Sequence, residues 1–570
     1  MRRSKKVVAL ILIAVLVLSA ASFAGCSKKN KDTAASGKKN KETITLDVYS
    51  QRANYSGEQI GWFGKVMLDK FNVKLNIIND ADDSTFTTRM EAGDLGDIVI
   101  FGSDAEDYPD AVKNGMLFDW NEDELLSEYG PYIKEHMQKA LEKNAGINED
   151  GKVHGFGYQV ATSPEDHVAY FYHPDIRWDL YKQLGYPKVG TVEDFVDVLA
   201  KMKEICPTSD AGKETYGVSM FDDWDGDSVM MVKATAALYG YEELGLGLYD
   251  VNTQLWQGNL DEASMYLRFL KFYNDLYQKD LLDPDSMTQK YDGCNEDYMT
   301  GGALFNIFSF IASSAYNTDE HVNAGKAMYA CPVEDQNTLV NGLNVYGGNN
   351  VWTIGATTQY PELCMEIINW LSTPEGKMVS QYGPQVLCWD YDDNKKITLT
   401  DLGLRCRNDP ETQMEGDYTG TWKDGSNQMN CITWSDDASN PDSNGESYNY
   451  LNWESYNSTL NSDIKNDWRT WSGFVTEDMF LDSRNHTVAV GTPWTQEARS
   501  EELDVIWKQV TKCIKDYSWK AIYAKNDDEY KTIVAEMIQK ADAYGYDKCC
   551  EFMLDQAAKR KAAEDAVLDK

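Results

Sequence analysis

A single tryptophan stands among four aspartates at residues 222–227, directly after a strand-like segment at 216–221. The Asp and Gly content is typical of a turn, so Trp224 has little apolar core to join there. An indole ring offers a flat apolar face, and neighbouring carboxylates such as Asp225 or Asp227 accept hydrogen bonds from hydroxyl groups. These residue types suit a hydroxylated ligand with an apolar face. The alternative is a surface turn whose Trp224 folds back onto its own lobe.

Tryptophans are also concentrated between residues 397 and 519, where eight occur. The C–H face of a sugar ring stacks on such side chains, while planar amides and carboxylates bind its hydroxyls. Trp422 and Trp434 are therefore further candidates for ligand contact. Burial in a core is the alternative for each ring.

Catalytic motifs are missing from the sequence. Glycoside hydrolysis needs two carboxylates that flank the scissile bond, but carboxylates are plentiful throughout this acidic chain and indicate nothing by themselves. The sequence contains no nucleophile elbow, no His-Glu-x-x-His and no phosphate-binding glycine loop. We expect no enzyme activity, with a secreted glycoside hydrolase as the lesser alternative.

Two groups of residues could bind metal ions. His154, His167 and His173 are close in sequence but belong to different predicted elements, so we expect ordinary packed or solvated histidines rather than a zinc site. The acidic spacing at 390–401 resembles a calcium loop, yet Lys395 replaces the glycine needed for its sharp turn. We expect no cofactor and no metal, with a structural calcium ion as the alternative.

The N-terminus has the features of a bacterial secretion signal. Basic residues precede an apolar run at 7–18 that is too short to span a bilayer core of about 30 Å, and Ala24-Gly25-Cys26 ends the segment. A cysteine in this position resembles a lipobox, which predicts lipidation of Cys26. The Lys-, Asn- and Ser-rich composition of the residues that follow predicts a flexible tether beside the membrane.

The formal net charge is -38 over 570 residues. Such an acidic surface repels nucleic acid and other polyanions, so no nucleic-acid partner is expected. More than 500 residues outside the signal are enough for two or three domain-sized cores.

Hydrophobic periodicity predicts parallel strands near the start of the mature chain. Alternating segments at 44–48 and 73–77 are separated by a helix, and the continuous apolar run at 98–101 predicts a strand buried on both faces. Ligands of such α/β sheets bind at the carboxyl ends of the strands. The loops at 49–57 and 102–107 therefore supply Tyr49, Arg52 and Asp104 as candidates.

Four stretches together resemble the extracellular solute-binding proteins of family 1, which deliver sugars to ABC transporters. They are the turn and strand at 92–100, the segment 151–202 with Tyr170-Phe171-Tyr172, the helix end at 276–284 and the segment 360–376. With the lipobox they look most like the large oligosaccharide-type lipoproteins of Gram-positive bacteria. Between residues 397 and 519 the resemblance is vague.

The resemblance implies an α/β, two-lobed, type II fold with a hinge and an interlobe cleft. The expected organisation is a signal peptide at 1–25 and a lipid-anchored tether at 26–43. A first lobe would follow at 44–160 with a return segment near 325–385, and a second lobe at 161–324. Residues 386–570 would form a Trp-rich extension and C-terminal helices that complete the second lobe.

The same resemblance implies a monomeric protein on the extracellular face of a Gram-positive membrane, where it captures a carbohydrate and delivers it to the permease subunits of an ABC importer. A peptide or another small solute is the alternative ligand. The expected ligand-binding residues are Tyr49, Arg52, Asp104, Trp224, Asp225, Asp227, Asn350, Trp352, Trp422 and Trp434.

Replacing Cys26 by Ala tests the anchor. The variant lacks the thiol that carries the acyl chains, so we expect it in the culture medium or as an unprocessed precursor. Membrane fractionation and the mass of the N-terminal peptide measure this. A normally processed variant that stays in the membrane fraction would contradict lipidation of Cys26.

Overall fold

The described part of the chain forms five sheets, and the largest of them has six strands. The computed structural model describes residues 42–80 and 84–569, so the predicted signal, Cys26 and all but the last two residues of the predicted tether lie outside the described residues. The described strands are β1 (Ile44–Ser50), β2 (Gly57–Glu58), β3 (Val73–Asn79), β4 (Ile98–Phe101), β5 (Gly155–Gly157), β6 (Tyr172–Arg177), β7 (Tyr241–Leu244), β8 (Gly247–Asp250), β9 (Leu255–Gly258), β10 (Phe305–Phe308), β11 (Met328–Ala330), β12 (Thr338–Asn341), β13 (Val351–Ile354), β14 (Trp389–Tyr391), β15 (Ile397–Leu399) and β16 (His486–Ala489).

Helices surround these strands, and among the described residues none is long and apolar enough to cross a bilayer. The described α-helices are Gly61–Phe71, Ser84–Ala92, Asp107–Lys113, Leu125–Tyr129, Pro131–His136, Gln138–Ile147, Trp178–Gln183, Phe195–Ile205, Met230–Thr235, Met265–Gln278, Tyr291–Met299, Ser313–Tyr316, Asp319–Asn323, Pro361–Ser372, Pro374–Tyr382, Asp401–Asn408, Trp422–Gly425, Glu454–Asn457, Asp463–Ser472, Glu477–Asp482, Glu501–Ile522, Asp527–Tyr544 and Tyr546–Val567.

The first lobe is built on a six-stranded sheet in the order β2-β3-β1-β4-β13-β5. Strand β1 runs parallel to β3 and β4, with Val48 opposite Ile98, while β13 runs antiparallel to β4. All four residues of β4 are buried, as the continuous apolar run predicts. Because β13 enters from a distant part of the chain, this sheet joins the N-terminal strands to a returning segment.

The second lobe contains the antiparallel sheet β10-β6-β11 and the hairpin sheet β7-β8-β9. Its longest helices, such as Glu501–Ile522, cover these sheets and share their core. The predicted aromatic stripe of the helix Met265–Gln278 is buried at Tyr266, Phe269 and Tyr273. The two cores and the first-lobe strand order confirm the predicted two-lobed α/β fold.

The division of the chain between the lobes differs from the prediction after residue 385. Trp389, Trp422, Trp434 and Trp453 are buried in the first-lobe core, so the segment up to Trp453 belongs to the first lobe instead of completing the second. The reason is that Trp422 stacks on Trp62, with 4.8 Å between ring centroids. The second-lobe core resumes at Ile464.

The predicted return segment near 325–385 is also divided. Strand β11 pairs with β6 in the second lobe, and β13 pairs with β4 in the first. The chain therefore crosses between these strands. Strand β12 lies on that path and pairs in parallel with β16, and His167 on the outgoing crossing forms an isolated bridge with Gly342.

Candidate functional site

Five aromatic side chains of the second lobe form what we call the aromatic platform. Trp224 is 47% exposed, and its ring stacks on Tyr291 with 4.9 Å between centroids and 20° between planes. Phe310 links this pair to Phe171, on which it stacks at 5.2 Å. Phe308 packs against both Phe171 and Phe310 and completes the platform.

A cavity of about 330 Å³ opens beside this platform. Its wall includes Trp224 and three platform phenylalanines, and its polar groups come from Lys233, Glu242, Glu243 and Asn341. Lys233 Nζ forms an ion pair with Glu243. Asn341 belongs to β12, so the cavity borders a crossing segment between the lobes. An apolar wall with a few convergent polar groups is typical of small-ligand sites.

The 222–227 turn is anchored by two aspartates that point into the protein. Asp225 accepts hydrogen bonds from Trp519 Nε1 at 2.8 Å and from the backbone N–H of Met230 at 3.0 Å. Asp227 accepts from Trp507 Nε1 at 2.8 Å and from a threonine hydroxyl on the same helix. Asp225 is buried and both of its oxygens accept protein N–H groups, which argues against its predicted contact with ligand hydroxyls. Asp227 is half-buried and uses only Oδ1, so its contact with the ligand stays a prediction.

Asp223 supports the platform from the opposite side of Trp224. Its carboxylate accepts the backbone N–H of Tyr291 at 2.9 Å, which fixes the ring under Trp224. Lys290 pairs with Asp222 at 2.7 Å and with Asp223 at 3.2 Å. The turn thus presents Trp224 outward while its acidic residues are used for anchoring.

The first-lobe loops meet at the carboxyl ends of β1 and β4. The backbone N–H of Gly102 donates to Gln51 Oε1 at 2.8 Å, and Gln51 Nε2 donates to Asp107 at 2.6 Å. Arg52 is exposed beside them, and Asp104 pairs with Lys143 at 3.1 Å. Arg52 is therefore accessible, whereas Asp104 already has a cationic partner.

Five predicted ligand contacts are core residues, which corrects those predictions. Trp352 Nε1 donates to the carbonyl of Ile432, and Trp434 Nε1 donates to the carbonyl of Ser372, so both rings are tied to backbone of their own lobe. A ring with less than a tenth of its surface exposed has no free face for a ligand. The buried residues are Tyr49, Asn350, Trp352, Trp422 and Trp434.

A larger cavity of about 710 Å³ lies between segments of the two lobes and was not predicted. Asn452 and Asn457 border it next to Trp453 of the first core, and Tyr329 and Trp468 border it from the second core. The sequence feature that could have predicted this cavity is the group of four asparagines at 449–461, because side-chain amides are frequent binding groups in polar sites.

The three histidines considered for zinc do not converge. His154 bonds to Asp150 and to the carbonyl of Phe118 in the first lobe. His167 and His173 lie near carboxylates of the helix Glu477–Asp482. The calcium-like segment forms the hairpin β14-β15, in which Asp392 Oδ1 accepts backbone N–H groups of Asn394 and Lys396.

The site thus belongs to a two-lobed α/β fold in which each lobe has its own core and crossing segments join the lobes. Among proteins of known sequence, lipoprotein LipO of Bacillus subtilis is 24% identical over 314 residues, which cover 50% of this chain and 54% of LipO. The chain thus matches about half the length of this relative. No family model matches the chain.

Solved structures of similar extent include two bacterial proteins. An N-glycan transport solute-binding protein from Streptococcus pneumoniae is 14% identical with a TM-score of 0.42, covering 91% of this chain and 99% of its own. An extracellular solute-binding protein from Bifidobacterium longum subsp. infantis is 12% identical with a TM-score of 0.47, covering 92% and 100%.

Replacing Asp225 by Asn tests how the buried carboxyl group of Asp225 contributes to the stability of the fold. Burial raises the pKa of Asp225 to about 6, above its ordinary 3.8. The folded protein then binds this proton more tightly than the unfolded chain, so its contribution to stability is present below pH 4 and is lost as the pH rises through 6. The loss amounts to at most about 3 kcal/mol.

We therefore expect the free energy of unfolding of the Asp225→Asn variant to fall less between pH 4 and pH 7 than that of the parent. Urea unfolding at four pH values measures this, and Asp393→Asn at an exposed position controls for the lost charge. If the free energies of unfolding of the parent and of the Asp225→Asn variant changed with pH in parallel, the raised pKa of Asp225 would be contradicted.

Proposed function

We propose that this protein is the lipid-anchored, extracellular solute-binding component of an ABC importer, and that it captures an oligosaccharide between its lobes. The exposed aromatic platform is the observation that carries the proposal. The protein would bind the sugar, close its hinge and present the liganded form to the permease.

The platform matches the chemistry of a sugar. Trp224 and Phe171 are 47% and 42% exposed, which is unusual for large rings that already have aromatic neighbours. Each exposed ring can stack on the C–H face of one pyranose. Two accessible rings on one continuous platform favour a ligand of more than one sugar unit.

The polar groups of the adjoining cavity suit hydroxyls more than charged termini. Lys233 Nζ is paired with Glu243 and also donates to the carbonyl of Asp225 at 2.9 Å. A peptide carboxylate would have to compete with these partners. Asn341 remains as a neutral group for sugar hydroxyls, whereas Glu242 already pairs with Arg560. A peptide ligand is therefore the lesser alternative.

A binding role fits the platform better than hydrolysis. A glycoside hydrolase uses one carboxyl group as acid and a second as base or nucleophile. The two carboxylates that follow Trp224 in the turn, Asp225 and Asp227, accept indole N–H groups and hold the turn. Their structural engagement supports capture without bond cleavage.

The proposed location rests on the N-terminal sequence and on one relative. The basic head, the apolar run and Ala24-Gly25-Cys26 together have the form of a lipobox. The similar protein from Bacillus subtilis is named a lipoprotein. Anchoring through Cys26 would keep the body outside the cell and close to its permease, on the surface of a Gram-positive membrane.

Replacing Trp224 by Ala tests the sugar platform. A glycan array of neutral oligosaccharides, probed with soluble protein that lacks residues 1–26, first identifies a ligand. A stacking ring contributes on the order of 1 to 3 kcal/mol, so we expect the variant to bind that glycan roughly ten- to a hundred-fold more weakly in calorimetry.

The matched control is Trp471→Ala. Trp471 is 36% exposed but packs edge-on against Trp178, away from the platform. It should leave affinity unchanged. Equal melting temperatures of the Trp224→Ala variant and the parent exclude misfolding, and unchanged affinity of that folded variant would remove Trp224 from the site.

A further inference from the structure

Strand β6 carries two potential metal ligands on one face. His173 and Asp175 are two residues apart, so their side chains point to the same side of the strand. His173 is 3% exposed and Asp175 is fully buried. An imidazole and a carboxylate buried side by side require partners, because burying unpaired polar groups is costly.

Two atoms of this pair lack hydrogen-bonding partners. His173 Nδ1 and Asp175 Oδ1 are 2.8 Å apart, but their orientation does not form a hydrogen bond, and both atoms are buried without any other. Buried polar atoms in folded proteins are nearly always hydrogen-bonded. At 2.8 Å these two atoms form an ion pair when His173 is protonated. With a neutral imidazole, a cation that contacts both atoms would take the place of that proton.

Glu477 adds a third ligand from the helix Glu477–Asp482. One ligand atom from each of His173, Asp175 and Glu477 lies within 4.8 Å of the other two. Ligand atoms on one zinc ion lie about 3 to 3.5 Å apart, since each bond is about 2.0 to 2.2 Å long. The 2.8 Å between His173 Nδ1 and Asp175 Oδ1 is slightly shorter than this spacing, so metal binding would require small rotations of all three side chains.

Each carboxylate is oriented by a hydrogen bond that uses only one of its oxygens. Asp175 Oδ2 accepts the backbone N–H of Ser313 at 3.1 Å, which leaves Oδ1 toward His173. Glu477 Oε1 accepts the backbone N–H of Ala330 in β11, which leaves Oε2. Such supporting bonds are typical of ligands held in place for a metal.

The cluster opens to the larger interlobe cavity. His173 and Glu477 line this space of about 710 Å³, together with polar residues such as Asn457 and Lys465. Three protein ligands and access to water or a small ligand are the arrangement of an open zinc site, in contrast to the closed sites with four protein ligands.

We propose that His173, Asp175 and Glu477 bind one divalent transition-metal ion of the zinc class, with an open coordination position toward the interlobe cavity. Neutral imidazole and two carboxylates balance the double positive charge of the ion. The cation would compensate two acidic groups, of which Asp175 is fully buried. This proposal is independent of the sugar ligand.

Metal titration of the full-length protein, purified in detergent and stripped with a chelator, tests the proposal. We expect one Zn²⁺ per chain in calorimetry, and with Co²⁺ a visible absorption band that Zn²⁺ displaces. Glu477→Gln keeps an oxygen for the backbone N–H of Ala330 but loses the anionic ligand. It should weaken Zn²⁺ binding at least about tenfold.

The neighbouring cluster of His167, Asp482 and His486 provides the control. His167→Gln should leave the stoichiometry and affinity unchanged, because its ring is outside the proposed site. Melting curves without metal verify that both variants fold like the parent. Absence of saturable Zn²⁺ binding, binding that survives Glu477→Gln, or binding lost in His167→Gln would overturn the proposal.

Discussion

Two hydrogen bonds from indole N–H groups to aspartates determine which side chain of the 222–227 turn faces solvent. Trp519 and Trp507 lie on the helix Glu501–Ile522 and donate to Asp225 and Asp227. A buried indole N–H without an acceptor costs about 1 to 3 kcal/mol, so each pair stabilises both the helix and the turn. With these carboxylates turned inward, Trp224 projects outward onto Tyr291, and the platform forms.

The need of buried indole N–H groups for acceptors also determines how the first lobe is assembled. Buried tryptophans there donate to backbone carbonyls of segments far apart in sequence, as Trp62 does to Trp422 and Trp352 does to Ile432. These bonds attach the segment that follows residue 385 to the N-terminal sheet. Each lobe is thereby stabilised by its own core, and a few crossing segments join the two lobes.

The sequence predicted those elements whose stabilising contacts are local or periodic. The apolar run of β4 and the aromatic stripe of the helix Met265–Gln278 follow from hydrophobic pattern alone. The two-lobed architecture, in contrast, was implied by the resemblance to family 1 solute-binding proteins. The polar neighbours of Trp224 predicted a side chain outside the core, but left open whether its ring folds back onto its own lobe. The ring is 47% exposed and stacks on Tyr291 of that lobe, so it combines both arrangements.

The inward aspartates could not be predicted, since their indole partners are about 280 to 294 residues away in sequence. For the same reason, Trp422 and Trp434 were assigned to the ligand although they are buried against first-lobe residues. The cluster of His173, Asp175 and Glu477 could not be predicted from the sequence either. Strand β11 pairs with β6, and the backbone N–H of Ala330 in β11 donates to Glu477, which places Glu477 next to His173.

Capture of a sugar between two lobes predicts a change in shape, which small-angle scattering measures directly. The soluble form that lacks residues 1–26 should lose an ångström or so of its radius of gyration when it is saturated with the oligosaccharide identified on the array, as in ordinary hinge closure. An unchanged radius with a glycan that calorimetry has shown to bind would contradict closure around the ligand and would indicate a rigid pocket.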